Sequence, residues 1–172
     1  TANVIVHCGA TPIFVDINYS DFNISVGEIE KAITSRTKVI MPVDFGGMPC
    51  DYDGINALVR RGDVVEKFTP NSETQKELGR ILILSDAAHS FGAIYKGKMT
   101  GSLTDISVFS FHAVKNLTTA EGGAVALNFD SSIDNDKLYN KLCVSTLHGQ
   151  NKDALAKSLK GNWRYDVVEA GY

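Results

Sequence analysis

The sequence predicts an α/β fold, a mostly parallel sheet flanked by helices. Three observations predict it. Apolar, strand-like runs alternate with helix-like segments across the first half of the chain. The run Ile81-Leu-Ile-Leu-Ser-Asp86 is apolar without alternation, the pattern of a strand covered on both faces in a parallel sheet. Residues that cap helices stand before several helical segments.

Taken in order, Thr1 to Val6 reads as the tail of an amphipathic helix. Thr11-Pro-Ile-Phe-Val-Asp16 reads as a short strand and Asp21–Ser25 as a turn. Ser25 and Glu28 match a capping box, with Ile24 and Ile29 placed as a hydrophobic staple, so a helix is expected over about Val26–Ser35 with Ile29 and Ile33 buried. Lys38–Asp44 is the next strand, broken by Gly46-Gly47. Asp51 can cap a helix through Ile55, Leu58 and Val59 to Arg61. Glu66–Lys76 is polar and reads as an exposed insertion, within which Ser72-Glu-Thr-Gln75 opens a short helix to Leu78. The strand Ile81–Asp86 follows, then a turn at Tyr95–Lys98 and strands over Ile106–His112 and Gly123–Phe129. Ser131 or Ser132 can cap a helix carrying Leu138, Leu142 and Leu147. Gly149–Gly161 is polar, and Trp163 begins an element whose type the sequence leaves open.

A length of 172 residues suffices for one domain with a core, and 44% hydrophobic with 22% charged residues is ordinary for a globular protein. A net charge of -3 without a basic stripe argues against nucleic acid, and no apolar run is long enough for a membrane helix. No signal-peptide pattern opens the chain. Cys8, Cys50 and Cys143 are scattered and form no C-x-x-C pair, so a zinc site is not expected. Reduced thiols, buried as small hydrophobes in a cytoplasmic protein, are expected instead. Both ends read as cut, so the chain is expected to be a piece of a longer protein.

The chemistry concentrates between Ser85 and Gly123. Asp86 ends an apolar strand, and Lys115 stands in the loop after the next one. Pyridoxal 5'-phosphate (PLP) needs such a pair: a carboxylate to keep the ring nitrogen protonated and an amine to hold the aldehyde. Taken singly, Asp86 also reads as a turn cap and Lys115 as a solvated surface charge.

Five segments carry a resemblance: Gly9–Asp16, Arg36–Val43, Asp86-Ala-Ala-His89, Gly101–His112 and Lys115–Gly123. In this order and near this spacing, the chain resembles the DegT/DnrJ/EryC1/StrS family of PLP-dependent sugar aminotransferases over roughly residues 1–150, and Trp163–Tyr172 is also similar. The resemblance implies that residues 1–172 form a single partial domain. It would be the central portion of the large PLP-binding domain of the fold-type I aminotransferase architecture. The N-terminal phosphate-cup segment and the C-terminal small domain would lie outside it.

It further implies catalytic roles for Lys115, as the Schiff-base and proton-shuttling amine, and for Asp86, as partner of the pyridine nitrogen. Ser110 would help bind the phosphate, His89 would face the phenolic oxygen, and Ala88 would pack against the ring. Some relatives carry histidine in place of the lysine and act as dehydratases, so Lys115 favours transamination. Asp44, His112, Asn116, Glu121 and His148 stand near these motifs without an assigned role; many relatives carry histidine where Asp44 stands.

The implied activity is transfer of an amino group, from glutamate, to a nucleotide-linked keto-sugar in polysaccharide or secondary-metabolite biosynthesis. The amino-acid donor and the nucleotide-sugar are the small-molecule partners, and the parent protein is expected to be a cytoplasmic homodimer. Two other readings stay open: a catalytically incompetent α/β fragment or scaffold, and another fold-type I PLP enzyme such as a dehydratase or lyase.

Overall fold

The computed structural model describes residues 1–130, 133–147, 149 and 150. The chain divides into two units, Thr1–Ile133 and Asp134–Tyr172.

The first unit opens with helix α1 (Ala2–His7), which buries none of its residues. The strand expected over Thr11–Asp16 does not form. Among the described residues no strand lies beside it, and a strand needs a paired neighbour to satisfy its backbone. Ile13 and Phe14 are exposed and only Val15 packs on the core. A turn follows in which the Asp21 carboxylate accepts the Asn23 amide at 2.9 Å, closed by a bridge between Ile17 and Ile24.

Helix α2 (Val26–Ala32) ends three residues before the expected Ser35, because Ile33 turns extended (φ -67°, ψ 127°). The capping box is absent. The Ser25 amide that Glu28 would satisfy already donates to the Asp16 carbonyl at 3.1 Å, and Glu28 pairs with Lys31 at 2.6 Å. Ile24 and Ile29 do share one apolar cluster, with Ile33 packed against it.

Strand β1 is reduced to Val39–Ile40. Pro42 has no N–H to offer a ladder, and the chain rejoins the sheet as a single parallel bridge from Val43 to Asp86. A 3-10 turn over Phe45–Gly47 follows. Helix α3 (Tyr52–Arg60) begins as the sequence predicts: the Asp51 carboxylate accepts the Gly54 amide at 3.1 Å, and Tyr52, Ile55, Leu58 and Val59 face inward. Helix α4 (Gly62–Lys67) was not foreseen; it is short and buries only Val64. In α5 (Glu73–Leu78) the Ser72 hydroxyl accepts the Gln75 amide at 3.2 Å, and Gly79 ends the helix at φ 68°.

Strand β2 (Leu82–Asp86) lies between β1 and a later strand, Ile106–Ser110, parallel to both. Its burial alternates: Ile83 and Ser85 are buried, Leu82 and Leu84 only partly so. Equal cover on both faces, as the unbroken apolar run implied, is therefore corrected to one well-covered face. Strands β3 (Ile94–Tyr95) and β4 (Lys98–Met99) form a separate hairpin, its turn made by Lys96 and Gly97 at positive φ. Strand β5 (Ile106–Ser110) pairs antiparallel with β6 (Gly123–Leu127), giving the sheet order β1-β2-β5-β6.

Ile29, Ile40, Ile55, Leu58, Val59, Ile81 and Ile83 form the core, in which α2 and α3 cover the sheet. Each such side chain contributes about 1.5–3 kcal/mol by leaving water. Of the cysteines only Cys50 is buried; Cys8 is exposed, because α1 covers nothing, and Cys143 is intermediate. Among the described residues no helix is long and apolar enough to cross a membrane.

The second unit contains helix α6 (Asn135–Thr146), capped by the Asp134 carboxylate, which accepts the Lys137 amide at 2.9 Å. Ser131, Ser132 and His148, and everything from Asn151 on, including Trp163–Tyr172, lie outside the described residues.

Candidate active site

Asp86 ends β2, and its neighbour β5 ends at Ser110. In a parallel pair both chains leave the sheet at the same end, so the segments after Asp86 and Ser110 meet there. A cavity of about 150 Å³ opens at this point, lined by Val43, Asp44, Asp86, Ala88, His89 and Lys115.

Among the described residues the Asp86 carboxylate has two donors. One oxygen accepts the Ala88 amide at 3.3 Å, and the other accepts the Thr1 hydroxyl. Its backbone is held on both sides, donating to the Pro42 carbonyl at 2.9 Å and accepting the Asp44 amide at 3.1 Å. The turn beyond it closes by a bond from the Ser90 amide to the Ala87 carbonyl at 3.1 Å. This turn brings Ala88, half-buried, and His89, exposed, to the cavity.

Lys115 is half-buried. Its amide donates to the His112 carbonyl at 2.9 Å, which makes His112–Lys115 a turn. Among the described residues its ammonium makes neither a hydrogen bond nor an ion pair. The loop is braced from the other side: the Asn116 amide group donates to the Phe91 carbonyl at 2.9 Å, and the Thr119 amide to the Phe111 carbonyl at 2.9 Å. The Phe91 ring stands edge-on to Phe109 and Phe111, with centroids 5.3 and 5.1 Å away, and so joins the turn after Asp86 to β5. Gly123 permits close pairing beside it, since a Cβ there would meet the Phe109 carbonyl at 2.7 Å.

Of the residues the sequence singled out, Asp86, Ala88, His89 and Lys115 share the cavity. Ser110 does not line it; it sits at the end of β5, where its hydroxyl accepts the His112 amide at 3.4 Å. His112 and Glu121 approach each other at 3.5 Å, and Asn116 shapes the loop. Asp44 is a wall of the cavity. Thr1, Val43 and Phe91 were missed. Contacts between residues so distant in sequence leave no local pattern, although Phe91 adjoins the Asp86 motif and its ring was visible there.

The donor set fits PLP: the Asp86 carboxylate at a strand end, a half-buried amine without a hydrogen-bond or ion-pair partner among the described residues, an imidazole at the rim, and a methyl group where a flat ring needs a thin wall.

The DegT/DnrJ/EryC1/StrS aminotransferase family matches residues 1–65 and 74–168, which leaves most of the Glu66–Lys76 insertion outside the match. The chain is 42% identical to the uncharacterized protein MJ1066 of Methanocaldococcus jannaschii, over 100% of this chain and 39% of that protein. It is 39% identical to the spore coat polysaccharide biosynthesis protein SpsC of Bacillus subtilis, again over 100% of this chain and 39% of that one. Among solved structures, the putative sugar aminotransferase Spr1654 of Streptococcus pneumoniae in its PMP form superposes with a TM-score of 0.88 at 46% identity, covering 99% of this chain and 42% of that one. The same protein has been solved in a PLP form. The chain thus spans about two fifths of the length of these relatives.

Proposed function

Because this chain belongs to the DegT/DnrJ/EryC1/StrS aminotransferase family, we propose that it forms the cofactor-binding centre of a PLP-dependent sugar aminotransferase. The acceptor is a nucleotide-linked keto-sugar destined for polysaccharide or secondary-metabolite synthesis, and the donor is an amino acid, glutamate. The working enzyme is a cytoplasmic homodimer. The observation that carries this reading is the convergence of Asp86 and Lys115 on one cavity, with Ala88 and His89 beside them.

When bound, PLP supplies an aldehyde that condenses with amines and a protonated ring that draws electrons from the substrate's α-carbon. Asp86 would hold the proton on the ring nitrogen, because a nearby carboxylate favours the charged form. The Thr1 hydroxyl and the Ala88 amide keep that carboxylate in place. The Lys115 amine would hold the aldehyde and move a proton at the α-carbon; the lack of a partner among the described residues leaves it available for both tasks. His89 would donate to the ring's phenolic oxygen, Ala88 would pack against the ring face, and Ser110, at the end of β5 outside the cavity lining, would help bind the phosphate.

Borohydride reduction of the full-length protein followed by peptide mapping tests the site. The cofactor is expected on Lys115; labelling of another residue, or unchanged binding in Lys115→Ala, would defeat the assignment. Mixing the protein with glutamate is expected to convert the PLP spectrum to that of pyridoxamine phosphate, and a nucleotide-linked keto-sugar to reverse it. Reversal by simple keto acids alone would exclude the sugar acceptor.

A further inference from the structure

Asp44 shares the cavity wall with Asp86, Ala88, His89 and Lys115, and none of the roles above uses it. It is 1% exposed. A carboxylate that deep needs donors on both oxygens, and both are supplied. One oxygen accepts the Cys50 amide at 3.1 Å and the Tyr52 hydroxyl at 2.6 Å; the other accepts the Ser90 hydroxyl at 2.5 Å. With its only proton given to Asp44, the Tyr52 hydroxyl accepts from the Ser85 hydroxyl, 2.7 Å away.

Ser85 immediately precedes Asp86, and Ser90 immediately follows His89. A single buried carboxylate therefore grips both flanks of the segment Asp86–His89, which contributes three of the six residues around the cavity. The grip extends through the backbone. The Asp44 amide donates to the Asp86 carbonyl at 3.1 Å. Gly47 passes so near the same turn that a Cβ on it would stand 2.8 Å from the His89 carbonyl oxygen. An apolar residue at position 44 would avoid the desolvation of a charge, but it would leave the hydroxyls of Ser90 and Tyr52 without their acceptor.

We propose that Asp44 is a positioning residue, which sets the Asp86 carboxylate and the His89 imidazole around the cofactor through Tyr52 and Ser85 on one flank and Ser90 on the other. The inference rests on the PLP site proposed above. Asp44 acts through its neighbours and exchanges no proton with the substrate.

Ser90→Ala and Tyr52→Phe each cut one arm while leaving Asp44 two of its three donors, so both variants are expected to fold. Four readouts are taken on the full-length protein. Borohydride labelling of Lys115 is expected in the wild type and in both variants. The visible circular dichroism of bound PLP, which reports ring orientation, is expected to fall at least about twofold per bound cofactor. In the half-reaction with glutamate, kcat is expected to fall about tenfold or more with KM within about threefold, as misplacement without lost binding requires. In the cofactor-free protein, hydrogen exchange over residues 85–92 is expected to quicken. Labelled variants that keep the wild-type dichroism and kcat would overturn the positioning role and leave the PLP site standing. A wild type that is never labelled at Lys115 would remove the site and this inference together.

Discussion

The two ends of the sheet treat their charges in opposite ways. At the end where β2 and β5 begin, Arg80 and Asp105 form a two-pronged pair at 2.8 and 2.6 Å. Asp105 also accepts the Ile83 amide at 2.8 Å, and Arg80 donates to the Ile81 carbonyl at 3.1 Å. Both side chains are buried, and the bonds to Asp105 raise the Arg80 pKa above its ordinary value. At the end where the same strands finish, Asp86 and Lys115 face a cavity, and neither finds a charged partner among the described residues. The first end spends its polar groups on one another, whereas the second keeps an acid and an amine for something else. The buried Arg80–Asp105 pair marks one end as structural, while an acid and an amine without charged partners among the described residues make the other end the candidate for chemistry.

The contrast can be broken by exchanging what each end loses. Asp86→Asn is expected to keep the cofactor but lower kcat on the order of 10²–10³-fold, since the amide supplies no counter-charge, with little change in melting temperature. Near-normal turnover would count against the electron-sink role. Arg80→Met should do the reverse: a stability loss of about 3–5 kcal/mol in denaturant unfolding, because Asp105 is left buried and unpaired, with the kcat of whatever remains folded nearly intact. If Arg80→Met cost no stability, the saturated end would not be structural.

A third test probes the layer between. Burial, and then the Asp44 charge, push the Cys50 thiol up to about 12 and the Tyr52 hydroxyl above its ordinary value. Both groups therefore stay protonated in the folded chain at a pH where the unfolded chain has released its protons. The stability they confer is complete below about pH 9 and is lost between pH 9 and 12 for Cys50, at up to about 1.4 kcal/mol per pH unit. Cys50→Ala should flatten that alkaline decline, and a slope unchanged by the substitution would refute the cause. Gly47→Ala is the smallest of the four. Its φ of 87° and the close His89 carbonyl predict a cost of about 1–3 kcal/mol, with activity falling more than stability. Loss of stability alone would separate this turn from the site.

The sequence disclosed what depends on local pattern. Helix α3 announces itself through Asp51 and the spacing of Ile55, Leu58 and Val59, and β2 through its apolar run. That Asp86 and Lys115 meet at one cavity was legible because each stands at or just past a strand end within a contiguous motif. What depends on distant partners was not legible. Thr11–Asp16 has a strand's composition but no strand pairing among the described residues, so it forms no strand. The Ser25 box is pre-empted by a carbonyl from Asp16. The bonds from Asp44 to Tyr52 and Ser90 join segments that only the folded sheet brings together, so neither composition nor spacing announces them. α4 is too short to display a period.

A crystal structure of the full-length protein grown with PLP tests the central claim most directly. One cofactor is expected at the end of the sheet where β2 and β5 finish, with the Asp86 carboxylate within hydrogen-bonding reach of the ring nitrogen and the Lys115 side chain joined to the aldehyde carbon at the opposite side of the ring. A cofactor bound elsewhere, or touching only one of those two side chains, would contradict it.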